Sequence, residues 1–174
     1  MLAAVYLIFL AAVFDFLDGM SARLLNVYSL LGKELDSLAD IVSFGVAPAF
    51  IVFQMMKIAL FGSEDIPLLE FVSAWKVLFL LLPFLISVLS AIRLAKFNLD
   101  ERQTDSFIGL PTPANALFFA SLYIVTITTK HDFIISLIYN KYLLSLLIIV
   151  FSLLLVSEFP MFSLKLKNLS YADN

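Results

Sequence analysis

Long apolar runs alternate with short polar clusters along this chain, and the length of the runs predicts helices rather than strands. The first, over residues 2–25, is apolar as far as Phe14, then carries polar positions on one side and reaches the basic Arg23. A second, over 30–60, follows Ser29, whose hydroxyl suits a helix N-cap because it can accept from a free backbone N–H. Pro48 is expected to kink that helix, since proline has no N–H to donate. A third run, over 68–99, is long enough to cross the ~30 Å hydrocarbon core of a bilayer and project beyond it. Runs over 114–129 and 142–159 complete the set. A polar turn at 62–67, a loop at 100–113 and a short turn at 130–140 separate them, and Pro160 closes or bends the last. The expected fold is all-α, a polytopic transmembrane helical bundle of five spans. No linker, low-complexity block or internal repeat interrupts it, so residues 1–174 read as a single membrane-embedded domain.

Composition settles the solvent. Hydrophobic residues make up 62% of the chain and charged residues 14%, well below the roughly 25% of soluble domains. With a mean hydropathy of +1.02, this is an integral membrane protein. No basic run accompanies the net charge of −3, which argues against nucleic acid as a partner. With no cysteine there is neither a disulfide framework nor a thiol-based site. The first run lacks the basic n-region and cleavage site of a signal peptide and reads as a retained span. Trp75 and Lys76 look like interface anchors. Arg23, Lys33, Arg93, Lys96, Arg102, Lys165 and Lys167 fall on one side, against Lys57, Lys76, Lys130 and Lys141 on the other. The positive-inside rule makes the first side cytoplasmic.

Against this apolar background stand Asp15, Asp18, Asp36 and Asp40. An aspartate near the bilayer centre costs roughly 2.5–3.5 kcal/mol on insertion scales, so such acids line a cavity, pair with a cation or hold a metal. At about 100° per residue, Asp15, Asp18, Gly19 and Ala22 share one arc, and Gly32, Asp36, Asp40 and Ser43 share another. Each arc is acidic and otherwise nearly bare, and both open toward the cytoplasm. Oxygen donors without His or Cys suit hard cations such as Mg²⁺, Mn²⁺ or Ca²⁺. Four carboxylates could hold two, an arrangement that clamps phosphate oxygens during an in-line displacement. A phosphoryl-type transfer on a lipid is the direct reading. A cation-binding membrane transporter is the alternative from another class, but the acids gather at one face and form no relay across the membrane.

The spacing Asp15, Asp18, Gly19, Ala22, Arg23, Gly32, Asp36, Asp40 matches the signature DxxDGxxARx8GxxxDxxxD, and the chain resembles the CDP-alcohol phosphotransferase family. RLAKFN at 93–98, FIGLPTPANA at 107–116 and VSEFPMFSLK at 156–165 are similar to its phosphatidylserine synthase branch. The resemblance implies transfer of a phosphatidyl group from CDP-diacylglycerol to the hydroxyl of L-serine, with release of CMP. It implies that Asp15, Asp18, Asp36 and Asp40 bind divalent metals, Mg²⁺ or Mn²⁺ and two per site, with Asp40 also the catalytic base. Gly19, Ala22 and Gly32 would make room for the cytidine nucleotide, with Arg23 near its phosphates. The family implies membrane lipid as a partner, a homodimer, and six helices against the five counted here, so the chain reads as N-terminally incomplete.

The acceptor is read separately. Serine carries a carboxylate and an ammonium, so its pocket needs a cation, and Arg93 can grip a carboxylate bidentately. Lys96 and Asn98 are the secondary candidates. Glycerol 3-phosphate or inositol phosphate could also use Arg93, Lys96 and Arg102, which keeps such acceptors as alternatives. The competing reading of Arg93 and Lys96 is simple anchoring at the cytoplasmic interface. Pro111 and Pro113 read as the start of a helix, Glu158 as interfacial, and His131 as a solvated turn residue.

Overall fold

A computed structural model describes residues 1–25, 29–63, 73–99 and 109–158, apart from the side chains of Arg23 and Leu30. All described regular structure is helical. Helix α1 is Leu2–Leu25, α2 is Leu30–Asp40 and α3 is Ala47–Phe61, with a π-helical segment, Ile41–Val46, between the last two. Then come α4 (Ala74–Leu81), α5 (Phe84–Leu99), α6 (Thr112–Thr128), α7 (Asp132–Ile138) and α8 (Lys141–Val156).

Local chemistry explains most of these boundaries. Ser29 caps α2 as expected: its Oγ accepts from the Gly32 N–H at 2.9 Å. The disturbance expected at Pro48 takes another form. No break occurs, and Leu31–Phe61 continues as one apolar helical stretch. Instead the ladder ahead of the proline widens, and the Ala47 N–H reaches back to the Val42 carbonyl, five residues away. Proline cannot donate to the carbonyl four residues before it and its ring crowds that turn, which a wider π turn relieves. Gly62, at φ +76°, ends α3 in the left-handed conformation that glycine adopts without strain. Pro83 separates α4 from α5 for the reason expected at Pro48, and the two form one apolar stretch, Ala74–Leu99.

One expectation is corrected. The turn over 130–140 contains helix α7, because the polar residues at its two ends flank the apolar FIISLI, and Ile138 is buried. The Asp132 carboxylate in the first turn suits the positive end of the helix dipole. Asn140 then caps α8, its Oδ1 accepting from the N–H groups of Tyr142 and Leu143 at 3.0 and 3.2 Å. The pair α7–α8 is bent by 57°.

Half of the apolar window in Leu31–Phe61 is buried, against 11% in Leu2–Ala22, so α3 and the π segment form the hub and α1 lies at the rim. Phe44, Val52, Met55 and Met56 meet Ile86, Phe119, Leu144 and Ile148 in the core. Among the described residues of α1, Val5 and Ile8 are the buried ones. Its outward face, including Tyr6, Leu10, Val13 and Phe14, is exposed and apolar. Such a face is at home against lipid, where apolar side chains gain little by moving inward. Among the described residues, three stretches are long and apolar enough to cross a membrane, or four if the bent α7–α8 pair is one span. Helix α6 is apolar but has 17 residues, about 25 Å at 1.5 Å per residue. The chain is thus a polytopic helical membrane protein. Arg102, Pro160, Lys165 and Lys167 lie outside the described residues, as do the start of the third expected run and most of the 100–113 loop.

Candidate active site

Asp15 comes from α1, Asp36 from α2, and Asp40 from the junction of α2 with the π segment. One carboxylate oxygen of each lies within 4.8 Å of the other two. Oxygens on opposite sides of a divalent cation, each at about 2.1–2.5 Å from it, are about 4–5 Å apart. The three acids therefore fit a single hard cation, and without one their charges would repel at short range. Asp15 and Asp40 are half-buried and Asp36 is exposed. Asp18, one turn beyond Asp15, is exposed and stands outside this trio, although it acts electrostatically on Asp15 and Asp36.

The bare surface beside the acids is present. A Cβ added to Gly19 would meet nothing within 4 Å, and Ala22 is half-buried on the same helix. Gly32 has a local role too, because a Cβ there would come 2.8 Å from the Oγ of its capping Ser29. Arg23 falls in the last turn of α1, and its side chain is outside the described set.

Across from the trio, Arg93 of α5 is buried and interacts electrostatically with Asp40. Its Nη1 donates to the Thr112 Oγ1 at 3.3 Å, and its guanidinium lies 5.7 Å from the centre of the Phe97 ring. Burial distinguishes Arg93 from an interfacial anchor, which would keep its charged head in water. Lys96, by contrast, is exposed in the last turn of α5. Asn98 is partly committed: its Nδ2 donates to the Ser37 Oγ at 2.9 Å, and its backbone carbonyl accepts from the Lys33 Nζ at 3.3 Å. These bonds fasten α2 to the end of α5 and so hold Asp36 in place.

A family model for CDP-alcohol phosphatidyltransferases matches residues 1–156. The chain belongs to that family. Family relatives include a Bacillus subtilis protein, 36% identical over 162 residues that cover 92% of this chain and 76% of the relative. A Saccharomyces cerevisiae protein is 42% identical over 130 residues, 69% of this chain and 41% of its own length. A Helicobacter pylori protein is 41% identical over 116 residues, 66% of this chain and 43% of its own. All three bear the name CDP-diacylglycerol–serine O-phosphatidyltransferase. The chain thus spans about three quarters of the Bacillus relative but only about two fifths of the other two. No solved structure matches it.

Two buried polar residues on α6, Thr112 and Asn115, both fully inaccessible, lie in FIGLPTPANA but have no individual role in the sequence reading. Their sequence signals are the segment FIGLPTPANA that contains both and a pair of polar positions three apart at the apolar start of a helix. Gly109, just upstream in the same segment, has no individual role there either. It adopts φ +77°, and a Cβ there would lie 2.9 Å from the carbonyl oxygens of Leu155 and Ser157. The Leu110 N–H donates to the Leu154 carbonyl at 3.0 Å. This close approach ties the start of α6 to the end of α8 and positions Thr112 opposite Arg93.

Proposed function

We propose that the chain transfers a phosphatidyl group from CDP-diacylglycerol to the hydroxyl of L-serine, releasing CMP and forming phosphatidylserine. The convergence of Asp15, Asp36 and Asp40 from three sequence positions onto one point carries this reading. The names of the bacterial and yeast relatives support it. Asp15, Asp18, Asp36 and Asp40 are the proposed ligands of two divalent cations, Mg²⁺ or Mn²⁺. Bound there, such cations would neutralise charge on the pyrophosphate and on the departing CMP.

The protein's own residues do the rest in this reading. Gly19, Ala22 and Gly32 leave the backbone of α1 and α2 open to the nucleotide, with Arg23 beside its phosphates. Asp40 takes the proton from the serine hydroxyl as that oxygen attacks the phosphatidyl phosphorus and the bond to the CMP oxygen breaks. Arg93, buried and already oriented by Thr112, binds the serine carboxylate. Lys96 and Asn98 stand at the mouth as lesser contributors. The acids face the cytoplasm of a five-span bundle, where serine is soluble and the lipid enters between helices. The single domain of residues 1–174 works as a homodimer.

The test is CMP release by purified protein with CDP-diacylglycerol and Mn²⁺, with serine, glycerol 3-phosphate and inositol phosphate competing as acceptors. Serine is expected to dominate. Dominance of a phosphorylated acceptor would reassign Arg93 and Lys96 to a phosphate. No CMP release with any alcohol, together with cation flux in vesicles, would replace the transferase with a transporter.

A further inference from the structure

Three buried polar side chains on α5 and α6, those of Ser90, Arg93 and Asn115, have hydrogen-bonding capacity unused. On α5, Ser90 and Arg93 are one turn apart; on α6, so are Thr112 and Asn115, and spacing of three places each pair on one helix face. The Arg93–Thr112 bond links the two helices at this level. Asn115 and Ser90 are fully inaccessible. Among the described residues, neither the Nδ2 nor the Oδ1 of Asn115 has a partner, nor do the Nε of Arg93 and the Oγ of Ser90. Buried polar atoms are nearly always paired in native proteins, and each unpaired one costs about 1–3 kcal/mol. An asparagine with both ends of its amide free, one turn from the bond that orients Arg93, is therefore built to meet something polar.

We infer that Asn115 is a specificity-determining residue of the acceptor pocket, receiving the ammonium group of an α-amino acid whose carboxylate is held by Arg93. The amide chemistry suits such a zwitterion. Its oxygen offers two lone pairs to an ammonium, which has only donors to give. An acceptor bearing a phosphate and no ammonium would leave the amide oxygen unmatched, and a site built to hydrogen-bond one group rejects analogues that lack it. This inference rests on the transferase reading and names the residue that selects its acceptor.

The experiment compares the wild type with Asn115→Leu and Asn115→Ser in detergent, measuring KM for serine and for CDP-diacylglycerol by CMP release. Competitive inhibition by 3-hydroxypropionate, which is serine without its ammonium, is measured alongside. In a variant that keeps the wild-type thermal transition, KM for serine should rise at least tenfold. KM for CDP-diacylglycerol and inhibition by 3-hydroxypropionate should stay within twofold. An unchanged KM for serine, as expected if Asn115 merely binds an internal water, overturns the inference, and so does an equal weakening of all three constants. A check on the wild type needs no variant: serine should raise its thermal midpoint more than 3-hydroxypropionate does at equal concentration. Equal shifts would count against an ammonium site. A wild type that releases no CMP with serine instead sinks the transferase reading on which the inference stands.

Discussion

Asp36 and Asp40 sit four residues apart on neighbouring turns, yet their surroundings differ, one exposed and the other half-buried beside Arg93. Asp36→Asn and Asp40→Asn each remove a full charge while keeping the side-chain shape. Both are expected to lower transfer at least a hundredfold with the thermal transition retained, and full activity in either would refute the metal-site assignment. Gly109 gives the opposite kind of residue. Gly109→Ala forces a Cβ into a left-handed backbone and against two carbonyl oxygens, so it should cost about 1–3 kcal/mol of stability, seen as a lower unfolding midpoint. The aspartates were legible in the sequence because charge in an apolar run stands out and fixed spacing converts directly into helix faces. The roles of Thr112 and Asn115 were not legible even though FIGLPTPANA contains both, because a neutral polar residue in an apolar helix gains meaning only when the side chains around it are known. Gly109 hid for a similar reason: what makes glycine necessary there is the end of α8, more than forty residues away in the chain.

At the scale of elements, the sequence carried the helices and missed how they are joined. Helix α1 and the start of α2 fall where hydropathy and the Ser29 cap place them. Ser29→Ala removes the acceptor for the Gly32 N–H and should lower stability by about 1 kcal/mol. Because that cap fixes the first turn of α2, transfer activity measured alongside should fall with it rather than independently. The π segment and α7 were not legible. A wider hydrogen-bond ladder leaves no mark in hydropathy, and a seven-residue helix between two polar clusters looks like a turn until Ile138 finds its place in the core. The bonds from Asn98 and Lys33 show why α2 and α5 act as one unit. They join the carboxylate side of the site to the arginine side.

For the molecule as a whole, the apolar composition was enough to assign the membrane and the all-helical bundle, since only helices or closed barrels satisfy their backbone in lipid. The distribution of burial was not legible, because in a bilayer an apolar residue reads the same whether it faces lipid or core. The absence of cysteine makes the proposed orientation directly measurable. Single cysteines at His131 and at Glu158, both exposed in connections outside α7 and α8, should react with a membrane-impermeant maleimide from opposite sides of intact cells. Position 158 should be protected and position 131 labelled; the reverse pattern would turn the acids away from the cytoplasm. The π segment has a consequence at this scale. A π turn amounts to one extra residue in an α-helix, so it shifts the phase of everything before it by about 100° relative to everything after it. The half of the helix that carries Asp36 and Asp40 can therefore aim at Asp15 while the half that carries Val52, Met55 and Met56 keeps its own heading into the core. One continuous rod serves two compass bearings, and chemistry and packing need not compete for the same side of it.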